Sequence, residues 1–162
     1  MWGDAFLEQA RSDWKAYNEI KKVELDVCHH LYYLRAATEK LGKAALLRSG
    51  NQSPDDIRTH KKFVRYLQIS TINIKLCKVL GIQPGQLKPY INDVLPIAQR
   101  IENLAPEKES NRPNAEYPWE AAGNIIAPSS YDFQEARDIT SSNGRKLLRL
   151  VQLILERFEE VY

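Results

Sequence analysis

Between Val27 and Ala45 the chain places Val27, Leu31, Leu34, Thr38, Leu41 and Ala45 at steps of four, three, four, three and four. An α-helix completes a turn in about 3.6 residues, so these positions share one face. Sustained spacing of this kind suits long helices packed nearly antiparallel. It predicts a helix over residues 23–48, stopped by Ser49-Gly50-Asn51, where Gly and Asn favour a left-handed C-terminal turn.

The same periodicity recurs along the chain. Leu7, Ala10, Trp14 and Tyr17 predict a first helix over residues 4–22. Ser53-Pro54-Asp55-Asp56 combines a cap residue, a first-turn proline and acids at the positive end of a helix dipole. A third helix is therefore expected from there to Leu80, with Ile57, Val64, Leu67 and Ile74 inward and Gly81 as its end. Thr59 is an alternative cap for its main part. Leu87, Ile91, Val94, Ala98, Ile101 and Ala105 predict a fourth, kinked or broken at Pro96. Leu147, Val151, Ile154, Phe158 and Val161 mark a last helix over residues 130–162, weakened by Gly144 by roughly 1 kcal/mol. Residues 106–129 form the long irregular stretch, in which Tyr117 and Trp119 are expected to pack on the helices. No strand-like alternation is evident. The expected fold is all-α, a single domain over residues 1–162 built as an up-and-down antiparallel bundle of about five helices.

Composition limits the functional classes. The apolar fraction is 43% and the charged fraction 27%, as in a globular chain, and the net charge of +2 lacks the basic excess of a typical nucleic-acid binder. Cys28 and Cys77 fall within apolar helical patterns and read as buried free thiols. No stretch reaches the ~18 apolar residues of a membrane span, and the N-terminus lacks a signal-peptide pattern. A soluble, cytoplasmic protein without membrane association is expected.

Candidate chemistry centres on His60. It stands in Arg58-Thr59-His60-Lys61-Lys62 at an expected helix start, where free N–H groups and the dipole favour an anion. Adjacent His29 and His30 point about 100° apart on a helix and do not converge on a metal. Arg35, Glu39 and Lys43, spaced by four, read as a surface charge ladder, with the alternative that Glu39, beside the seam, reaches a loop or ligand. Phosphate-binding loops, Cys-x-x-Cys pairs, zinc-protease motifs and nucleophile elbows are all missing from the sequence. Neither a metal site nor a cofactor is expected.

Three segments in order resemble the HEPN superfamily (higher eukaryotes and prokaryotes nucleotide-binding domains). They are Cys28 to Leu47 with its Glu39-Lys40-x-x-Lys43-Ala44 core, Thr59-His60-Lys61-Lys62-Phe63, and Asn114-Ala-Glu-Tyr117-Pro-Trp119. The resemblance implies a helical domain, commonly a homodimer, with a role in toxin–antitoxin or phage-defence systems. Many members are metal-independent ribonucleases carrying Arg, four to six residues, then His. Here Ser53, Pro54 and Asp55 occupy the positions where that Arg would precede His60, and residues 22–25 hold none before His29 or His30. Other members bind nucleotides or partner a nucleotidyltransferase. The expectation is thus a non-catalytic domain that binds a nucleotide, RNA or a protein partner through Arg58, His60, Lys61 and Lys62, with Tyr117 covering the site. The alternatives are a ribonuclease with His60 as acid or base and Arg58 or Arg65 stabilising charge, and a structural oligomerisation bundle.

Overall fold

The computed structural model describes every residue except 51, 58, 60 and 106–110. Most of the described chain is helical: α1 Trp2–Ile20, α2 Val27–Arg48, α3 Phe63–Ile69, α4 Ile74–Leu80, α5 Pro84–Glu102, α6 Gln134–Thr140, α7 Ser142–Glu156 and α8 Phe158–Val161. A short antiparallel hairpin joins β1 Trp119–Ala121 to β2 Asn124–Ile126. Among the described residues, no helix is long and apolar enough to cross a membrane.

Helix α2 is the centre of the molecule. Its seam is buried from Leu31 to Ala45, and so are Ala36, Ala37, Gly42, Ala44 and Leu46 on its other faces. A helix buried on every side must let its neighbours come close, and these small residues permit that. The tightest approach is at Gly42, where an added Cβ would lie 2.7 Å from the backbone N and Cα of Phe63. α1, α3, α5 and α6 all pack against α2. The stripe predicted for the last helix is likewise buried, with Leu147, Val151, Ile154, Phe158 and Val161 in the main core. Cys28 and Cys77 are buried free thiols.

Several features differ from expectation. The segment expected as one helix from Ser53 to Leu80 is divided. Ser53 donates through its N–H and its hydroxyl to the Asp56 carboxylate at 3.0 and 2.7 Å, closing a turn instead of opening a helix. α3 begins only at Phe63, a 3₁₀ turn spans Ser70–Ile72, and Asn73 caps α4 by accepting from the Leu76 N–H at 3.0 Å. Ile74, expected inward, is exposed at that new start. Gly81 does end the segment, with a φ of 69° in the left-handed region.

The expected last helix is also divided, because Ser141 caps α7 by accepting from the Gly144 N–H at 3.0 Å. A Cβ on Gly144 would approach the Asp138 carbonyl oxygen to 2.2 Å, so this corner needs glycine. α5, conversely, runs unbroken through Pro96, which is solvent-exposed; the Asn92 carbonyl that loses its partner lies on an exposed stretch where water can serve it.

A further difference is the hairpin, where the sequence pattern predicts no strand. Its two turn residues, Ala122 and Gly123, have φ of 50° and 78°, the pair of positive values that a tight two-residue hairpin turn requires. Trp119 is buried as expected, edge-on to Tyr131 with ring centroids 4.9 Å apart, in a second core with Cys28, Leu31, Leu104, Ala115 and Phe133. Tyr117 is not packed inward: it is 62% exposed. Pro118 separates the two rings, and only Trp119 reaches the core.

The Gly42 contact sets a first test. Gly42→Ala should destabilise the chain by about 1–3 kcal/mol, because α2 and α3 would have to separate. Urea denaturation with an unchanged midpoint would show that the approach is not tight.

Candidate functional site

Arg35, Glu39 and Lys43 are not a surface ladder. All three are buried, at 7%, 8% and 7% exposure. The i, i+4 spacing stacks them along one side of α2, and the helix is enclosed there. Arg35 donates to one Glu39 carboxylate oxygen at 2.9 Å and Lys43 to the other at 2.7 Å. Lys43 Nζ also lies 5.4 Å from the Phe6 ring centroid. Removing charge from water is costly, and pairing both cations with one carboxylate offsets part of that cost.

The Arg35 end of this row reaches a surface cleft. Its guanidinium lies 3.6 Å from the Glu116 carboxylate and 5.8 Å from the centre of the Tyr32 ring. Tyr32 and Glu116, with Cys28, His29, Ala115, Pro128 and Ser129, line a cleft of about 480 Å³ between the start of α2 and the chain on either side of the hairpin. The loop wall is fixed by its backbone. The Ala115 N–H donates to the Leu104 carbonyl at 3.0 Å. The Asn114 side-chain oxygen accepts from the N–H groups of Glu116 and Tyr117 at 2.8 and 3.0 Å. This Asx turn sets Glu116 on the cleft and Tyr117 at the surface beside it. Hydrogen bonding to Glu116 and its negative charge raise the Tyr117 pKa above that of an ordinary phenol.

The residues singled out around the third helix fare differently. Arg58 and His60 lie outside the described residues. Lys61 is exposed, whereas Lys62 is buried. The first N–H groups of α3 do not face open solvent: Phe63 and Val64 donate to the Glu102 carboxylate at 2.9 and 3.1 Å. The anion favoured at that helix end is thus supplied from within the chain, by the last residue of α5. Burial raises the Glu102 pKa above the ordinary carboxylate range, and the Glu39 charge adds to this, while the two N–H donors and Lys61 oppose it.

His29 is exposed and lines the cleft. His30 is half-buried, and burial followed by the His29 and Lys21 charges lowers its pKa. Among the described residues, no group of three or more His, Cys, Asp or Glu side chains is placed to hold a metal ion. Glu116 and Tyr32 are the cleft residues that the sequence reading passed over. Glu116 stands next to the Tyr-Pro motif, two residues after Asn114, a turn-former that was the available signal. Comparisons with protein-family models, curated proteins and solved structures find no match.

Two predictions follow from the buried charges. Glu39→Ala leaves Arg35 and Lys43 facing each other across an apolar gap, and it should cost about 3–5 kcal/mol; a denaturation midpoint near that of the parent chain would show the pair to be solvated. Glu102 titrates in the opposite sense to a salt-bridged acid. Its folded pKa is raised, so the folded chain holds this proton more tightly than the unfolded one. The stability it contributes is complete below its ordinary value of about 4.3 and declines as pH rises through the raised value. Glu102→Gln keeps an oxygen acceptor for Phe63 and Val64 and should remove that decline. Parallel stability–pH curves for parent and variant would refute it.

Proposed function

We propose that the chain is a HEPN-like helical domain, an up-and-down antiparallel bundle, that binds a nucleotide or an RNA segment without cleaving it. The observation that carries this reading is the cleft beside Tyr117. One wall is the start of the central helix, which offers the Tyr32 ring and the His29 imidazole. The other is a loop anchored by Trp119 and the Asn114 turn, which offers the Glu116 carboxylate. Pockets that pair apolar or aromatic surface with a few placed polar groups are the usual form of a small-ligand site. A nucleobase matches that combination: a flat face to stack and a polar edge to bond.

Phosphates further along a bound RNA would be taken by the basic run through Arg58, His60 and Lys61; Lys62 is buried, and it meets α2 at Gly42, about 15 Å along the helix from Tyr32. Lys61 is exposed and available for such a contact. The role of α3 in this reading is reduced, since Glu102 already occupies its first N–H groups. The absence of cleavage rests on the sequence, in which the Arg–His spacing of the family's ribonucleases is missing. General acid–base cleavage needs a proton-transfer group and a charge stabiliser on one surface.

Calorimetric titration with ATP and with a short RNA tests the binding. Heat is expected at low salt, falling as salt rises because phosphate contacts release counterions. Arg58→Ala/Lys61→Ala should weaken binding without unfolding the chain. No heat from either ligand at low salt would remove the reading. RNA cleavage that disappears in His60→Ala would instead make the domain a nuclease.

A further inference from the structure

The geometry points to a guanine-selective base site in the cleft between Tyr32 and Glu116, an inference that rests on the nucleotide-binding reading above and adds the identity of the base. The polar lining decides the edge of the ligand. Glu116 presents a carboxylate, which only accepts hydrogen bonds when ionised. Its side chain is 34% exposed, so it is reachable from solvent while still backed by protein. The Arg35 guanidinium, 3.6 Å away and itself buried, holds the carboxylate from behind. Arg35 does not line the cleft, nor does Lys43, and among the described residues the lining contains no Lys or Arg. Glu116 is the carboxylate of a lining whose other polar side chains are His29, Ser129 and Tyr32, so the cleft favours a ligand with donors over a phosphate.

Among the four RNA bases, only guanine places two donors side by side, the ring N1–H and the exocyclic N2 amino group. A single carboxylate can accept both at once on the lone pairs that Arg35 and the Tyr117 hydroxyl leave open. Adenine and cytosine each set an amino donor beside a bare ring nitrogen, which would face the carboxylate lone pairs. Uracil has one ring N–H flanked by two carbonyl oxygens, which the carboxylate would repel. The Tyr32 ring supplies the stacking surface, which every base can use. Its position is fixed by Tyr33, edge-on with ring centroids 5.2 Å apart, and by the Arg35 guanidinium. The roughly 480 Å³ of space is ample for a purine and its ribose. Tyr32 thus sets affinity for bases in general, and Glu116 sets which base is preferred.

The test uses the full chain and titrates GMP, AMP, CMP and UMP, with guanosine as a phosphate-free arm. A uridine hexanucleotide carrying one central guanine, compared with its adenine counterpart, separates RNA from a free nucleotide as the source of the base. GMP should bind about tenfold or more tighter than the other three, and guanosine should retain that preference. Glu116→Gln, with an amide that both donates and accepts, should bring GMP to within about threefold of AMP. Tyr32→Leu should weaken all four by about tenfold and leave their order unchanged. Unaltered denaturation midpoints show that each variant is folded. Four monophosphates bound alike, or a guanine preference that survives Glu116→Gln, would overturn the base assignment and leave nucleotide binding standing. No binding of any nucleotide or either RNA would overturn both.

Discussion

Glu39 accepts from Arg35 on one side and Lys43 on the other, within a helix that protein surrounds on nearly all sides. Much of the molecule is arranged around that row of charge. Two cations and one carboxylate leave an excess of positive charge inside the fold. One acid from another element lies close to the guanidinium, Glu116, while the ionised form of a second, Glu102, is disfavoured by the charge of Glu39. Each of these acids also does a second job. Glu116 brings the loop before the hairpin onto α2, and Glu102 joins the end of α5 to the start of α3. These carboxylates are thus part of how the elements are positioned, Glu116 through an ion pair and Glu102 through backbone N–H donors.

Close backbone approach is the companion constraint. Gly42 sits one residue before Lys43, on the turn where α3 meets α2. Without a side chain there, Phe63 can come near enough for its N–H to meet Glu102 while its ring enters the core. The absent side chain, the buried ring and the internal carboxylate therefore act together at the start of α3. The same logic recurs at the corner between α6 and α7. There Gly144 lies against the Asp138 carbonyl, and the Ser141 hydroxyl both accepts from the Gly144 N–H and donates to that carbonyl.

The long helices were legible because their periodicity reports a buried face directly, and the seam from Leu31 to Ala45 is buried throughout. The role of Arg35, Glu39 and Lys43 was not legible from spacing alone. Opposite charges four residues apart look identical on an exposed helix and an enclosed one. The distinguishing signal was the run of small residues on the remaining faces, Ala36, Ala37, Gly42 and Ala44, which have no reason to cluster on a face left in water. The divisions at Asn73 and Ser141 carried cap residues that could be read, but a continuous apolar stripe on either side masked them. The hairpin was harder, since Ala122 has a positive φ that its residue type does not announce. Of the candidate site, the motif around Tyr117 drew attention to the loop that walls the cleft. Its inward anchor proved to be Trp119 alone, and its carboxylate Glu116 was overlooked.

The small core beneath the hairpin has a thermodynamic consequence. Trp119, Phe133 and Ala115 pack there against Cys28, Leu31 and Leu104, apart from the larger cluster that joins α1, α3, α4, α5 and α7 to the rest of α2. Cooperative units of this kind open at free energies below that of global unfolding. Amides of the hairpin and the Asn114 turn should therefore exchange with solvent hydrogen sooner than those in the middle of α2. One wall of the cleft belongs to the smaller unit and the other to the central helix. Any molecule gripping both walls would raise the opening free energy of the smaller unit by an amount set by its concentration relative to its Kd, slowing exchange at Trp119 without touching it.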